Sequence, residues 1–108
     1  MSLDVYLTNP YSGEEVYSSN ITHNLNAMAE AAGIYDIVWR PEESGIEKAS
    51  QVTERLLAGI NSLLQDPEKY MKLEPSNKWG TYVQFIPWLI NYYLACKLNP
   101  DAVVKVSR

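Results

Sequence analysis

Histidine, cysteine and phenylalanine each occur once in these 108 residues, and glycine only five times. A single cysteine, Cys96, excludes any intrachain disulfide and makes a thiol-tolerant cytosol the expected setting. It lies in the apolar stretch YYLACKL, where a thiol is expected to be buried and inert rather than nucleophilic. A single histidine, His23, far from that cysteine in sequence, gives none of the paired ligand spacings of a zinc site. The acidic run PEES lacks the alternating ligands of a calcium loop, so no metal is expected. The five glycines stand apart from one another, which removes phosphate-cradling and dinucleotide loops, and there is no G-x-S-x-G elbow. No cofactor is expected, no catalytic residue is assigned, and binding is favoured over catalysis.

Long apolar runs are also missing. No segment approaches the roughly 20 apolar residues of a membrane span, and the N-terminus lacks a basic region followed by an apolar run. Neither a membrane anchor nor an export signal is expected, and the cytoplasm is the expected location. Nine basic residues against thirteen acidic ones give a net charge of −4. The basic residues are scattered from Arg40 onward, without the concentrated positive face that nucleic acid requires.

What the chain does have is bulk. Hydrophobic residues make up 46%, with eight tyrosines and three tryptophans, enough for one folded domain over residues 1–108. LDVYLT alternates apolar and polar residues as a half-buried strand does. The turn formers NPYSG follow, then EEVYSSNI returns as a second strand, together a hairpin. Thr22 can cap a helix carrying Leu25, Met28, Ala29 and Ala32, and Pro41 forces a break near WRP. SGIE, Ser44 to Glu47, has the form of a capping box opening a long helix. That helix carries the stripe Ile46, Ala49, Val52, Leu56, Ile60, Leu63 and Leu64. Asp66-Pro67 restarts a short helix, and a last helix spans about Thr81 to Leu98, with Pro87 inside it. The C-terminal segment alternates as a strand, and the hairpin is the sheet available to it. The predicted fold is therefore α+β, with a small antiparallel sheet packed on one face by three to four helices.

Three groups of residues are candidates for function. His23 and Asn24 stand at a helix start, where a histidine can act as acid or base, or can simply be a polar first-turn residue. Trp39 with Arg40, and Trp79 with Tyr82, can offer stacking faces and a guanidinium to a planar or anionic ligand, or plug the ends of helices. In the last helix, Tyr82, Phe85, Ile86, Leu89, Ile90, Tyr93 and Leu94 make a core stripe. Trp88 and Tyr92 then fall on the opposite, solvated side, as an interface pair would.

The segments NITHNLNAMAEAAGIYDIVWRPEE, DPEKY, WGTY, YLAC and PDAVVKVSR resemble a family of small uncharacterised proteins of bacteriophages and prophages. The likeness covers most of the chain from Asn20 onward. It implies a cytoplasmic accessory role and carries over no ligand or catalytic residue. The leading expectation is a non-enzymatic accessory protein acting through protein contacts or self-association, Trp88 and Tyr92 being its interface; a minor assembly subunit is a related form. The alternative is a small-ligand or hydrolytic cleft built from His23, Asn24, Trp39, Arg40, Trp79 and Tyr82.

Overall fold

A computed structural model describes residues 2–108. Three strands, β1 (Ser2–Thr8), β2 (Glu15–Thr22) and β3 (Val103–Ser107), form one antiparallel sheet in the order β2-β1-β3. Alternation decides which residues share a face. Leu3, Val5 and Leu7 of β1 are fully buried and pair across to Ile21, Ser19 and Tyr17 of β2. Val106 and Val104 of β3 join the same face beside Val5 and Leu7. The opposite face carries Asp4, Tyr6, Ser18, Asn20, Lys105 and Ser107, the polar side of a sheet covered only once. The hairpin loop is closed by Asn9, whose side-chain oxygen accepts from the amides of Tyr11 and Ser12 at 2.8 and 3.1 Å.

Five helices supply the second layer: α1 (Asn26–Ala31), α2 (Tyr35–Trp39), α3 (Thr53–Gln65), α4 (Pro67–Met71) and α5 (Tyr82–Leu98). Two of them, α2 and α4, are little more than one turn. The Tyr82 hydroxyl near the start of α5 donates to the Leu63 carbonyl near the end of α3 at 2.7 Å. The Ala49 and Ser50 amides ahead of α3 donate to the carbonyls of Ala102 and Pro100 beyond α5, both at 2.9 Å. The two long helices therefore run antiparallel. A β-carbon on the buried Gly59 of α3 would lie 2.3 Å from Cγ2 of Ile34, so the segment joining α1 to α2 presses directly on α3. Among the described residues no helix is long and apolar enough to cross a membrane.

Two expectations about the helices need correction. Ser44 does not open a helix. Its hydroxyl donates to the carbonyls of Asp36 and Arg40, at 3.3 and 3.2 Å, and so closes the 3-10 turn Pro41–Ser44. Gly45 then reverses the chain at φ 72°, and Lys48 bridges to Val103. The helix proper begins only at Thr53, after a 3-10 turn over Ala49–Gln51. The expected stripe is nonetheless buried from Ile46 through Leu63.

The second correction is larger. Trp88 and Tyr92 are not a solvated pair; they are 9% and 0% exposed. The buried side of α5 is Tyr82, Phe85, Trp88, Leu89, Tyr92, Ala95 and Cys96, while Ile90 and Leu94 face outward. Tyr92 stacks on Tyr17 of β2 at 6.1 Å between centroids, and Trp88 lies 6.3 Å from Phe85 and 5.7 Å from Tyr92. Large rings remove more area from water than leucine or isoleucine does, and they take the inner side where the sheet offers another ring. Among the described residues Trp88 Nε1 and the Tyr92 hydroxyl have no hydrogen-bond partner.

Candidate functional site

His23 opens the 3-10 turn His23–Leu25, capped by Thr22, whose hydroxyl oxygen accepts from the Asn24 amide at 3.2 Å. The ring is committed inward. Trp39, the last residue of α2 and 1% exposed, donates its indole Nε1–H to His23 Nδ1 at 3.0 Å. Nδ1 is thus the acceptor and the neutral ring carries its proton on Nε2. A buried indole N–H needs such a partner, and supplying it is a structural task. Trp39 also stacks on Tyr35 at 5.6 Å and meets Phe85 edge-on at 6.3 Å. Its carbonyl accepts from Arg108 at 2.8 Å.

Arg40, next in the chain, turns to other groups. It donates to the Tyr35 hydroxyl at 3.3 Å and to Glu43 at 2.7 Å. The Tyr35 hydroxyl and then Glu43 hold the guanidinium protonated more firmly than usual. Tyr82 is a pin between helices: its hydroxyl binds Leu63, and its amide donates to Glu74 at 2.7 Å. The six expected site residues therefore do not share one cleft. His23 and Trp39 meet as a bonded pair, Arg40 and Tyr82 are engaged locally, and Asn24 and Trp79 come together in a separate place.

That place is a groove running from the polar face of the sheet around the end of β2. One hollow, of about 490 Å³, lies between Asn20–Thr22 and the loop 77–80 with Gln84. A second, of about 450 Å³, adds Ser2 and Asn24. Both are open, and both are lined by Asn20, Thr22, Asn77 and Trp79. Asn20 is already oriented, donating from Nδ2 to the Ser2 hydroxyl at 3.1 Å. Trp79 is 70% exposed, on a loop that is tightly built. The Asn77 side-chain oxygen accepts from the Trp79 amide at 3.0 Å, and Lys78 takes a left-handed φ of 62°. Thr81 and Gln84 cap α5 reciprocally, each side chain accepting from the other's amide at 3.2 Å.

Gly80 fixes this loop to the sheet. At φ 100°, an added β-carbon would lie 2.7 Å from Cγ2 of Thr22 and 3.1 Å from Cγ of Leu25. Gly80→Ala combines a backbone region reserved for glycine with overpacking, an expected loss of about 3 kcal/mol. Gly13→Ala, at φ 75° with open space around it, is expected to lose only about 1 kcal/mol. Urea unfolding of both variants measures the difference; equal losses would mean that Thr22 and Leu25 yield without cost.

From the sequence, Asn20 and Asn77 are not singled out, and Gln84 is set on the solvated side of the last helix with Trp88 and Tyr92. Ile90 and Leu94, which face outward on α5, are placed in the core. On that outer side Val83, Ile90, Leu94 and Leu98 are exposed, Val83 and Leu98 at 70% and 80%, with Pro87 exposed between them. A signal for this was present: Lys97 is the one charged residue among the seventeen of α5. A helix buried on one side alone normally carries a charged stripe on the other. No protein-family model, curated protein or solved structure matches this chain.

Proposed function

We propose that this protein is a non-catalytic accessory protein that acts through protein contacts, using the outer side of α5, and that its partner there is a second copy of itself. The observation carrying this reading is the exposed line Val83, Pro87, Ile90, Leu94 and Leu98. The spacing of three or four residues sets these side chains along one face, which over this length of helix is about 22 Å long. Exposed apolar area of that extent is a cost in water that association removes.

Charge supports a second copy as the occupant. The chain bears a net −4, yet α5 contains no acidic residue and only Lys97 near one end. Two such faces meet without opposing like charges across most of their length. A two-fold arrangement lets the same patch serve both partners. One helix on each side is a small interface, so the dimer is expected to be concentration-dependent. The resemblance to phage and prophage proteins suits a small accessory role of this kind.

Sedimentation equilibrium from about 1 to about 300 µM brackets the affinity expected of a small interface. The mass should rise from 12.3 kDa toward twice that value. Leu94→Glu and Leu98→Glu, at positions 50% and 80% exposed, should leave the fold intact and hold the protein monomeric. A wild-type chain that stays monomeric across the range overturns the reading, as does a dimer that both variants preserve.

A further inference from the structure

We infer that the groove beside Trp79 binds a neutral oligosaccharide, with the indole face as the platform for one sugar ring. Of the three tryptophans, Trp39 and Trp88 are buried in the core, and Trp79 alone is exposed. The backbone that carries it is fixed. The Asn77 turn, the left-handed Lys78 and the close seat of Gly80 on Thr22 and Leu25 fix the loop that carries it. An aromatic side chain has only two rotatable bonds, so on a fixed backbone it offers contact area with little conformational entropy to lose on binding.

The surroundings select the ligand class. Asn20, Asn24, Asn77 and Gln84 bring side-chain amides to the groove, with hydroxyls from Ser2 and Thr22. The oxygens of Asn77 and Gln84 already accept from the amides of Trp79 and Thr81, so these two offer chiefly N–H donors. An amide such as Asn24 offers an acceptor and two donors from one planar group. Together they suit the donors and acceptors of neighbouring sugar hydroxyls. A pyranose whose hydroxyls are equatorial has an apolar C–H face to lay on an indole and a polar rim to reach those amides. Lys78 is the one charged side chain among the lining residues, too little positive charge to favour a polyanion in an acidic protein. Hydrocarbon ligands are disfavoured by the amide lining. The two hollows share Asn20, Thr22, Asn77 and Trp79, and as one continuous groove within the size range of small-molecule sites they have room for a chain rather than a monosaccharide.

This inference is independent of self-association through α5, and the two fail separately. The test is an NMR titration of the uniformly labelled protein with cellotriose, chitotriose and maltotriose, and with a tetrathymidylate as the anionic control. At least one trisaccharide should bind in the millimolar range, shifting the Trp79 indole N–H and the side-chain amides of Asn20, Asn24, Asn77 or Gln84. Trp79→Ala should weaken that binding by about tenfold or more, the effect of removing a stacking face. Its urea midpoint should stay unchanged, and Leu94→Glu should bind as the wild type does. Failure of all three trisaccharides to shift these resonances overturns the inference. So does tighter binding of the tetrathymidylate, or a Trp79→Ala variant that binds equally well.

Discussion

Replacing Trp39 with alanine is expected to remove about 4 kcal/mol of folding free energy, the middle of the range for a buried aromatic. Several independent contacts end on this one residue. Its ring lies against Tyr35 and Phe85, its N–H is bound by His23, and its carbonyl by Arg108. Truncation leaves a cavity between the helices and also strips His23 of its partner. His23→Ala tests the smaller part: it leaves a buried indole N–H unsatisfied, for a loss of about 1–2 kcal/mol. In a Trp39→Phe background the same histidine change should cost about 1 kcal/mol less, because the N–H is already gone. Urea unfolding of the four proteins measures that coupling. Full additivity would show that the 3.0 Å bond contributes nothing and would reopen a different role for His23.

Alkaline pH should be nearly as damaging. Burial pushes the Cys96 thiol from its ordinary 9.0 up to about 12. Burial likewise holds the Tyr92 hydroxyl well above its ordinary 10.0. The Tyr92 hydroxyl and the Cys96 thiol also act on each other across this buried space, without a hydrogen bond between them. In the unfolded chain the thiol gives up its proton near 9.0, whereas the folded protein keeps it until about 12. Above 9.0 the unfolded state therefore holds fewer protons, and stability falls as pH rises. The thiol contribution is fully present below 9.0 and is lost progressively toward 12, on the order of 4 kcal/mol in all. Tyr92 extends the loss at the upper end.

Urea midpoints followed from about pH 8 to about pH 11 should show this decline, and Cys96→Ala should flatten its first part. Iodoacetamide at mildly alkaline pH should leave the native thiol unmodified and react once urea unfolds the chain. Rapid labelling of the native protein would contradict the burial on which the pH effect depends.

The hairpin and the third strand were legible from the sequence because alternation over Leu3, Val5 and Leu7 has one meaning wherever a single face is buried. The stripe from Ile46 to Leu63 was legible for a similar reason. The start of α3 was not. Ser44 and Glu47 match the letters of a capping box, but the Ser44 hydroxyl is taken by the carbonyls of Asp36 and Arg40. The amides of Glu47 and Lys48 go instead to the Gln51 side chain, and the Glu47 carbonyl accepts from Val104 at 2.9 Å. A pairing partner more than fifty residues away overrode a local motif.

The inner side of α5 was illegible because a helix with one charge offers two apolar stripes, and only the ring of Tyr17 opposite decides between them. At the candidate sites the sequence named Asn24 and Trp79, which do share a groove. It could not separate them from His23, which sits next to Asn24 in the chain and whose ring turns inward to an indole sixteen residues away.

The strand order β2-β1-β3 has a consequence in time. The central strand pairs with one neighbour through a short loop and with the other only across nearly the whole length of the chain. The hairpin can close within microseconds, while the second edge of β1 stays open until residues 103–107 arrive. During synthesis that edge is exposed for the longest interval any pairing in this sheet can impose, with Val5 and Leu7 uncovered beside it. Folding speed is then governed by one distant docking event. Molecules caught before it carry a ready template for pairing with each other.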